Sequence, residues 1–391
     1  MKLLVVSDAP IITNEASMRA AYAPYVKELD MWMRHVSHTT IVCPDRSPKN
    51  MLGKAIAQQS FEQVRTGRLD FHRPSAIFKS LLSLPGLVFI LFREMSRADH
   101  IHLRSPGNLC LLAGVIQVFF PKKKKTVKYA GNWDPNAVQP RAYVWQKKLF
   151  ASTRWSKNLK VMAYGKWPDQ SSNIKQFFTA TYSENEIPER LVKSKTPPFY
   201  AMYVGTMTVN KDPEQVLEIM QSLREKGVDI ELDFYGDGNL KEVIKEKVRA
   251  IGLEDKVRVH GNQPQEVVAQ AYRRAHFSFL ISRSEGWPKV VAEAMWNGCI
   301  AIATPVSCVS WMLNDENYAT NSKDPEYRYG EMQNTIKRGI VHLSSTSTQQ
   351  AVEYLIENFE IFEAMSREAQ QFSHQYTTEK FEDAIKNLLH S

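Results

Sequence analysis

Two carboxylates head the list of side chains in this sequence that could do chemistry. Glu285 and Glu293 stand eight residues apart in SRSEGWPKVVAEAMWNG (282–298), and the apolar spacing after Pro288 predicts a helix over 288–296 that stops at Gly298. A helix that begins at a proline leaves backbone N–H groups around Trp287, Lys289 and Val290 without intrahelical acceptors, and its dipole adds partial positive charge there. Such an end binds phosphate. Glu285 and Gly286 would then lie beside whatever the phosphate carries. Glu293, about one and a half turns into the helix, has an acceptor-only carboxylate that can take hydrogen bonds from two vicinal hydroxyls, as on a ribose. Both ends of a nucleotide-sugar are addressed by one seventeen-residue segment.

Further chemistry-bearing residues follow predicted strands. Lys211 comes six residues after Gly205, where a cation could meet a diphosphate, and Gly236-Asp237-Gly238 forms a tight turn after an apolar run. That turn could also open a dinucleotide fingerprint, but Lys241 replaces its third glycine, which weighs against a nicotinamide cofactor. In the first half, Asp8 and Arg104 close apolar runs, and Asn132 with Trp133 follows another. Arg104 could meet an acceptor phosphate or form a loop salt bridge; Trp133 and Trp167 could stack on sugar rings or simply pack.

Strands and helices that alternate throughout must position these residues. The first half predicts strands at 3–7, 39–43, 101–103, 126–129, 159–163 and 179–182, with helices over 16–34 and 109–120 and a capping box at Ser183 and Glu186. The second half predicts strands at 199–204, 231–235, 257–260, 277–281 and 300–303, interleaved with helices over 213–226, 240–251, 264–274 and 288–296, and a last amphipathic helix over 378–389. Alternation of this kind implies parallel sheets in an α/β fold. Pro197-Pro198 cannot continue a helix and marks the boundary between a domain at 1–195 and one at 199–375, with 376–391 as a terminal helix.

Composition agrees with two globular domains: 391 residues, 43% hydrophobic and 24% charged, exclude disorder. Four dispersed cysteines exclude a disulfide scaffold and fit no zinc pattern. The N-terminal MKLLVVSDAP reaches Asp8 too early for a secretory signal. The net charge of +8 divides unevenly: residues 1–199 carry 30 Lys+Arg and 14 Asp+Glu, whereas 200–391 carry 20 and 28. A basic first half facing an anionic acceptor or membrane is the implication. The apolar runs 81–92 and 109–120, at 12 residues each, are too short to span a bilayer and are expected in the core, although the lysines at 122–125 could dock on anionic lipid or form a solvated loop.

The segment with Glu285 and Glu293 resembles the E-x7-E region of the family 4 retaining glycosyltransferases of the GT-B fold. Tyr203-Val204-Gly205 with Lys211 is similar to that family's opening strand and diphosphate-binding loop, Gly236-Asp237-Gly238 to its "GDG" turn, and the strand ending at Gly261 to the one whose loop, here Asn262-Gln263, packs on the nucleobase. The four blocks keep the family's order over about 200–313. The resemblance implies two Rossmann-like domains facing across a cleft, with the last helix crossing back to the first. It also implies Glu285 and Lys211 in catalysis, with donor binding by Gly205, Thr206, Lys211, Gly236, Asp237, Gly238, Asn262, Gln263, Arg283, Glu285, Gly286, Trp287, Pro288, Lys289, Val290 and Glu293. Thr206 stands where relatives commonly have an arginine, so Arg283 or Lys289 is expected to supply that charge. Asn132 and Trp133 lie where many relatives carry a histidine, and residues 8–15 lack the usual Gly-Gly.

These features point to sugar transfer from a nucleotide-sugar to a glycan or lipid-linked saccharide in cell-surface polysaccharide synthesis. A cytoplasmic setting with peripheral contact to the inner membrane face is expected, with no metal or other cofactor and no nucleic-acid partner. The alternatives are another GT-B enzyme, such as a phosphorylase or a sugar 2-epimerase, or a non-catalytic basic module for lipid or nucleic acid.

Overall fold

A computed structural model describes residues 1–13, 17–46, 53–71, 73–168, 170–189, 192–316 and 336–390. The chain forms two compact units: Met1–Phe178 with Phe381–Ser391, and Thr179–Lys380.

The first unit is built on a seven-stranded sheet. Its strands run in the order Ile174–Phe177, Leu159–Tyr164, Lys124–Tyr129, His100–Ser105, Lys2–Ser7, His38–Pro44 and Glu62–Thr66, every pair parallel. Leu3, Leu4, Val5 and Val6 are all buried, as an apolar run covered on both faces requires. The chain builds outward from Lys2–Ser7 to one edge, then returns through His100–Ser105 to the other. The order therefore reverses between these two strands, and the loops at their carboxyl ends carry Asp8 and Pro106-Gly107.

Several expectations need correction. The helix expected over 16–34 begins only at Ala23, with Pro24 in its first turn, because Arg19–Tyr22 is extended and pairs with Ile12–Thr13 and Gly53–Ala55. Ala16, with Asn14 and Glu15 of the first loop, lies outside the described residues. No strand forms at 179–182; the edge strand is Ile174–Phe177, and the capping box sits on a single 3-10 turn, Glu184–Glu186. The boundary also falls earlier than Pro197-Pro198. Tyr182 packs on Trp296 at 5.0 Å, and the Lys193 ammonium donates to the carbonyls of Tyr272 and Arg273 at 3.0 and 2.8 Å, tying this stretch to the second unit.

The run 81–92 departs most from expectation. It lies in one continuous helix, Pro74–Arg97, which passes through Pro85-Gly86 and is long and apolar enough by length and composition to cross a membrane. Leu87, Leu91 and Met95 are buried in the unit's core. The opposite stripe, Phe78, Leu81, Leu82, Val88, Phe89 and Phe92, faces outward, with Phe89 66% exposed. Spacings of three, four and seven residues place these side chains on one face. The helix is thus apolar on both sides, and only one side is covered by its own unit.

The second unit carries a six-stranded parallel sheet in the order Val257–Gly261, Ile230–Tyr235, Phe199–Val204, Phe277–Leu280, Ile300–Ala303 and Gly339–Val341. Here the order reverses between Phe199–Val204 and Phe277–Leu280. The helix Thr378–His390 starts in this unit and from Phe381 onward belongs to the first, where Phe381 meets Phe177 at 5.4 Å and Glu382 pairs with Arg34 at 2.6 Å.

Buried histidines give the second unit a pH dependence. Burial pushes His276 and His342 down to about 4, and Nδ1 of His276 accepts the Tyr200 N–H at 3.0 Å while Nε2 donates to the Ser194 carbonyl at 2.9 Å. The neutral rings are what the fold accommodates, whereas the unfolded chain takes up protons at its ordinary value of 6.5. Stability is therefore fully present above 6.5 and falls as pH drops toward about 4, by roughly 1.4 kcal/mol per pH unit per group. Urea titrations across that range should show a declining midpoint; a flat midpoint would refute the assignment.

Candidate functional site

In an open parallel sheet the loops at the point of strand reversal form the ligand crevice. In the second unit these are 205–212 and 281–288, and they are laced together: the Arg283 N–H donates to the Asn210 carbonyl at 2.8 Å, and the Asn210 amide donates to the Ser284 carbonyl at 3.3 Å. Across them the Lys211 ammonium bonds to the Glu285 carboxylate, with both side chains largely covered. Residues whose distance in the sequence is 74 are thus brought into one ion pair. The Tyr203 hydroxyl donates to the Thr206 carbonyl at 3.0 Å, and burial, with Glu285 nearby, holds its pKa well above normal.

The glycine turn packs directly beneath. The Gly205 N–H donates to the Tyr235 carbonyl at 2.9 Å, and the Met207 N–H to the Asp237 carbonyl at 3.0 Å. A Cβ on Gly236, whose φ is +129°, would lie 1.9 Å from the Gly205 carbonyl oxygen, and one on Gly238 would lie 2.3 Å from that of Met207. Only glycine lets the two loops approach so closely. Asp237 accepts from Lys241 at 2.9 Å and from the Gly238 N–H, contacts that hold its carboxyl below the usual range. On the next strand His260 stacks on Tyr235 at 4.8 Å and bonds Asp233 at 2.7 Å, just before Gly261 and the loop with Asn262 and Gln263, whose amide donates to the His260 carbonyl.

The helix Lys289–Trp296 begins at its N-cap Pro288, where no side chain caps it. The N–H groups of Lys289 and Val290 precede the first intrahelical bonds and are oriented for an acceptor. Gly286, between Glu285 and that end, is fixed by the Ser307 hydroxyl, which donates to its carbonyl at 2.7 Å. Glu293 is half-buried, and one of its oxygens accepts from the Thr181 hydroxyl at 2.9 Å. The side chain of Trp287 packs with Tyr376 and Trp311 at 5.6 and 6.4 Å, a core position. The exposed Arg283 guanidinium lies 3.7 Å from Asp212. Thr181, Asn210 and Asp212 were not foreseen, because each acts through contacts that no local spacing announces.

The first unit's residues have clearer structural tasks than expected. The Asp8 carboxylate accepts the N–H groups of Leu109 and Cys110 at 3.0 and 3.1 Å, so it caps the helix Asn108–Ile116, while burial raises its pKa. Arg104 lies over the Tyr25 ring at 4.6 Å, and its Nε is buried without a hydrogen-bond partner. Trp133 is 3% exposed, sits edge-on to Tyr129 at 4.9 Å and donates to Gln170, which makes it core and not a sugar platform. Asn132 holds its own loop through the Asp134 N–H at 2.9 Å and the Gln139 amide. Trp167 donates to the Tyr164 carbonyl at 2.7 Å.

Comparison with known proteins gives this geometry a context. Residues 183–327 match the family described as glycosyl transferases group 1. A stretch of 137 residues, 35% of this chain, is 26% identical to the alpha-D-kanosaminyltransferase of Streptomyces kanamyceticus and spans 35% of that protein's length. Among solved structures, HepE of Anabaena in complex with UDP has a TM-score of 0.66 at 14% identity, covering 100% of both chains, and the same protein with UDP-glucose gives 0.64. WaaG, a glycosyltransferase involved in lipopolysaccharide biosynthesis, gives 0.60 at 10% identity over 99% of each chain. The fold is that of the GT-B proteins.

Proposed function

We propose that this chain, which carries a group 1 glycosyl transferase domain on the GT-B fold, is a retaining glycosyltransferase that takes its sugar from a nucleotide-sugar. The observation that carries the reading is the Lys211–Glu285 pair at the strand-reversal point, three residues before an uncapped helix N-terminus. The donor diphosphate takes Lys211 and the Lys289 and Val290 N–H groups, which neutralise the charge that develops as it leaves. Glu285, released from Lys211, accepts hydroxyls of the sugar, and Glu293 those of the ribose. The bond from the sugar's reacting carbon to the phosphate oxygen breaks as the acceptor oxygen bonds to the same face, and the acceptor proton passes to a phosphate oxygen of the departing diphosphate. No metal is assigned a part in these steps.

HepE's complexes with UDP and UDP-glucose and the kanosaminyltransferase match support a nucleotide-sugar donor. WaaG supports an acceptor of the cell-surface saccharide kind. Arg104, with its unpartnered buried Nε at the first unit's reversal point, is the side chain assigned to an anionic acceptor group. Peripheral contact with an anionic membrane from the cytoplasmic side is supported by the outward stripe of the helix Pro74–Arg97, flanked by the basic Arg73, Lys79, Arg93 and Arg97.

Thermal shift with UDP-, GDP- and ADP-sugars tests the function, since a ligand at 100 times its Kd stabilises by about 2.7 kcal/mol. One nucleotide class should raise Tm, and no response to any would sink the reading. Glu293→Ala removes the hydrogen bonds of a charged acceptor and should weaken that nucleotide by about 10- to 100-fold; full affinity in the variant would displace the ribose from Glu293.

A further inference from the structure

The helix Pro74–Arg97 is one of three in a single layer. Its inward side, Leu87, Leu91 and Met95, packs into one core with Ala113 of the helix Asn108–Ile116, Phe150 of the helix Arg141–Ala151, and Leu103 and Val127 of the sheet. Asn108–Ile116 is the middle helix and adjoins both others. It meets Arg141–Ala151 so closely that a Cβ on Gly114 would lie 2.8 Å from Phe150 and 3.5 Å from Leu149. The helix Ala23–Arg34 lies on the sheet's other face, where Trp32 meets His102 at 4.1 Å, between Ile101 and Leu103 along the strand.

The outer surface of the layer extends the apolar stripe beyond its own helix. Val115 and Phe119, four residues apart and so on one side, are exposed, Phe119 by 70%. Trp145, one turn before Leu149 and on the same side of its helix, is 72% exposed, and Trp155 just past that helix is exposed too. Phe92 meets Phe120 at 4.9 Å, and Lys123 donates to the carbonyls of Ser96 and Ala98 at 3.0 and 2.6 Å, which ties the end of the first helix to the turn after the second. Large rings left in water on three adjoining helices mark an interaction surface. Its charge has one sign. Over 73–97, 108–125 and 141–158 the chain carries 13 Lys+Arg against a single acid, Glu94. That acid is buried beside Arg93 and Arg97, at 2.7 and 3.8 Å.

We propose that the outer surface of all three helices is a membrane-docking face whose partner is an anionic lipid bilayer, with Pro74–Arg97 lying flat in the interface and not crossing it. Crossing would pull Leu87, Leu91 and Met95 out of the core, whereas flat docking leaves them there and buries only the side that the unit leaves bare. Phe89 and Phe119 enter the acyl boundary, Trp145 and Trp155 sit at headgroup level, and the basic residues reach anionic phosphates. The same charge disfavours a second copy as the cover, because two such faces would repel. The inference rests on the peripheral contact proposed above and adds to it the second and third helices and the orientation.

Flotation of the whole chain with phosphatidylcholine vesicles, with and without phosphatidylglycerol, tests the face. The wild-type chain should bind the anionic vesicles at least about tenfold more tightly than the neutral ones. Phe89→Ser, and separately Trp145→Gln with Trp155→Gln, should each weaken that binding about tenfold, as loss of a lipid-buried ring requires, with circular dichroism and the nucleotide response unchanged. A readout without variants is wild-type tryptophan fluorescence, which should be quenched by lipid brominated near the headgroup end of its chains and hardly by lipid brominated near the methyl ends. Failure of the wild-type chain to bind anionic vesicles overturns the face and the peripheral contact together, while the nucleotide response still judges the transferase reading by itself. Binding lost in Phe89→Ser but kept in the tryptophan variant leaves peripheral contact through one helix and overturns the three-helix face. Strong quenching from the methyl ends overturns the flat orientation. A dimer abolished by Phe89→Ser, without vesicle binding, gives the surface to a second copy and overturns the proposal.

Discussion

Lys211→Met is expected to lower kcat/KM by about 10²- to 10³-fold, the loss seen when one preorganised charge is removed from a transition state. The direction follows from the geometry. Lys211 sits on Glu285 at the strand-reversal point, and in the proposed mechanism it exchanges that carboxylate for the donor diphosphate. Its loss should weaken binding of the donor's nucleoside diphosphate as well, because the nucleotide's phosphates lose their cation. Glu285→Gln should behave differently. The amide keeps the side chain's volume and leaves Lys211 without its carboxylate partner, so the nucleoside diphosphate should bind at least as tightly while turnover falls. The two variants together should cost less than the product of their separate losses, since they share one contact. Steady-state kinetics on each variant, with a titration of the nucleoside diphosphate whose sugar raises Tm, separates these outcomes. Unchanged turnover in Lys211→Met, or nucleotide binding weakened equally in both, would remove the pair from the mechanism. Arg283 and Lys289 are graded by the same assay, and Arg283, which leans toward Asp212 and solvent, should matter less than Lys211.

The geometry of the second unit's crevice loops was legible because it is written in backbone requirements. Gly236 and Gly238 must be glycines where loops touch, and a proline-initiated helix after Glu285 declares its own N-terminus, so local spacing carries the geometry. The first unit's side was less legible for the opposite reason. Asp8 and Trp133 have residue types that suit both a ligand site and a structural task, and which one prevails depends on partners about a hundred residues away in one case and on the Tyr129–Gln170 surroundings in the other. Hydropathy located the run 81–92 but gave the wrong surroundings. A continuous apolar run says that water is unfavourable on all sides, and only the packing of Leu87, Leu91 and Met95 reveals which side the unit covers.

A second large effect is expected inside the first unit, where no spacing in the sequence hints at it. Lys128, on the strand Lys124–Tyr129, places its ammonium 2.7 Å from Glu28 on the helix Ala23–Arg34, with both side chains nearly buried. The same ammonium lies 4.9 Å from the centre of the Phe381 ring, so one cation joins the sheet, the helix and the returning terminal helix. Burial lowers the Lys128 pKa and Glu28 opposes that, which shows a charge kept in place by its partner. Lys128→Met therefore leaves a carboxylate buried without a counter-ion, a change that costs about 3–5 kcal/mol, whereas replacing both partners by apolar groups of similar volume is often neutral. Urea unfolding followed by a first-unit probe should show Lys128→Met strongly destabilised and Lys128→Met with Glu28→Leu recovering most of the loss. The terminal helix adds a control: Phe381→Leu removes the ring face, worth about 0.5–2 kcal/mol beyond its packing, and should destabilise the wild-type chain more than the Lys128→Met variant. Equal stability of the single and double variants would mean that water reaches Glu28 and that the pair is not the buried contact its geometry indicates.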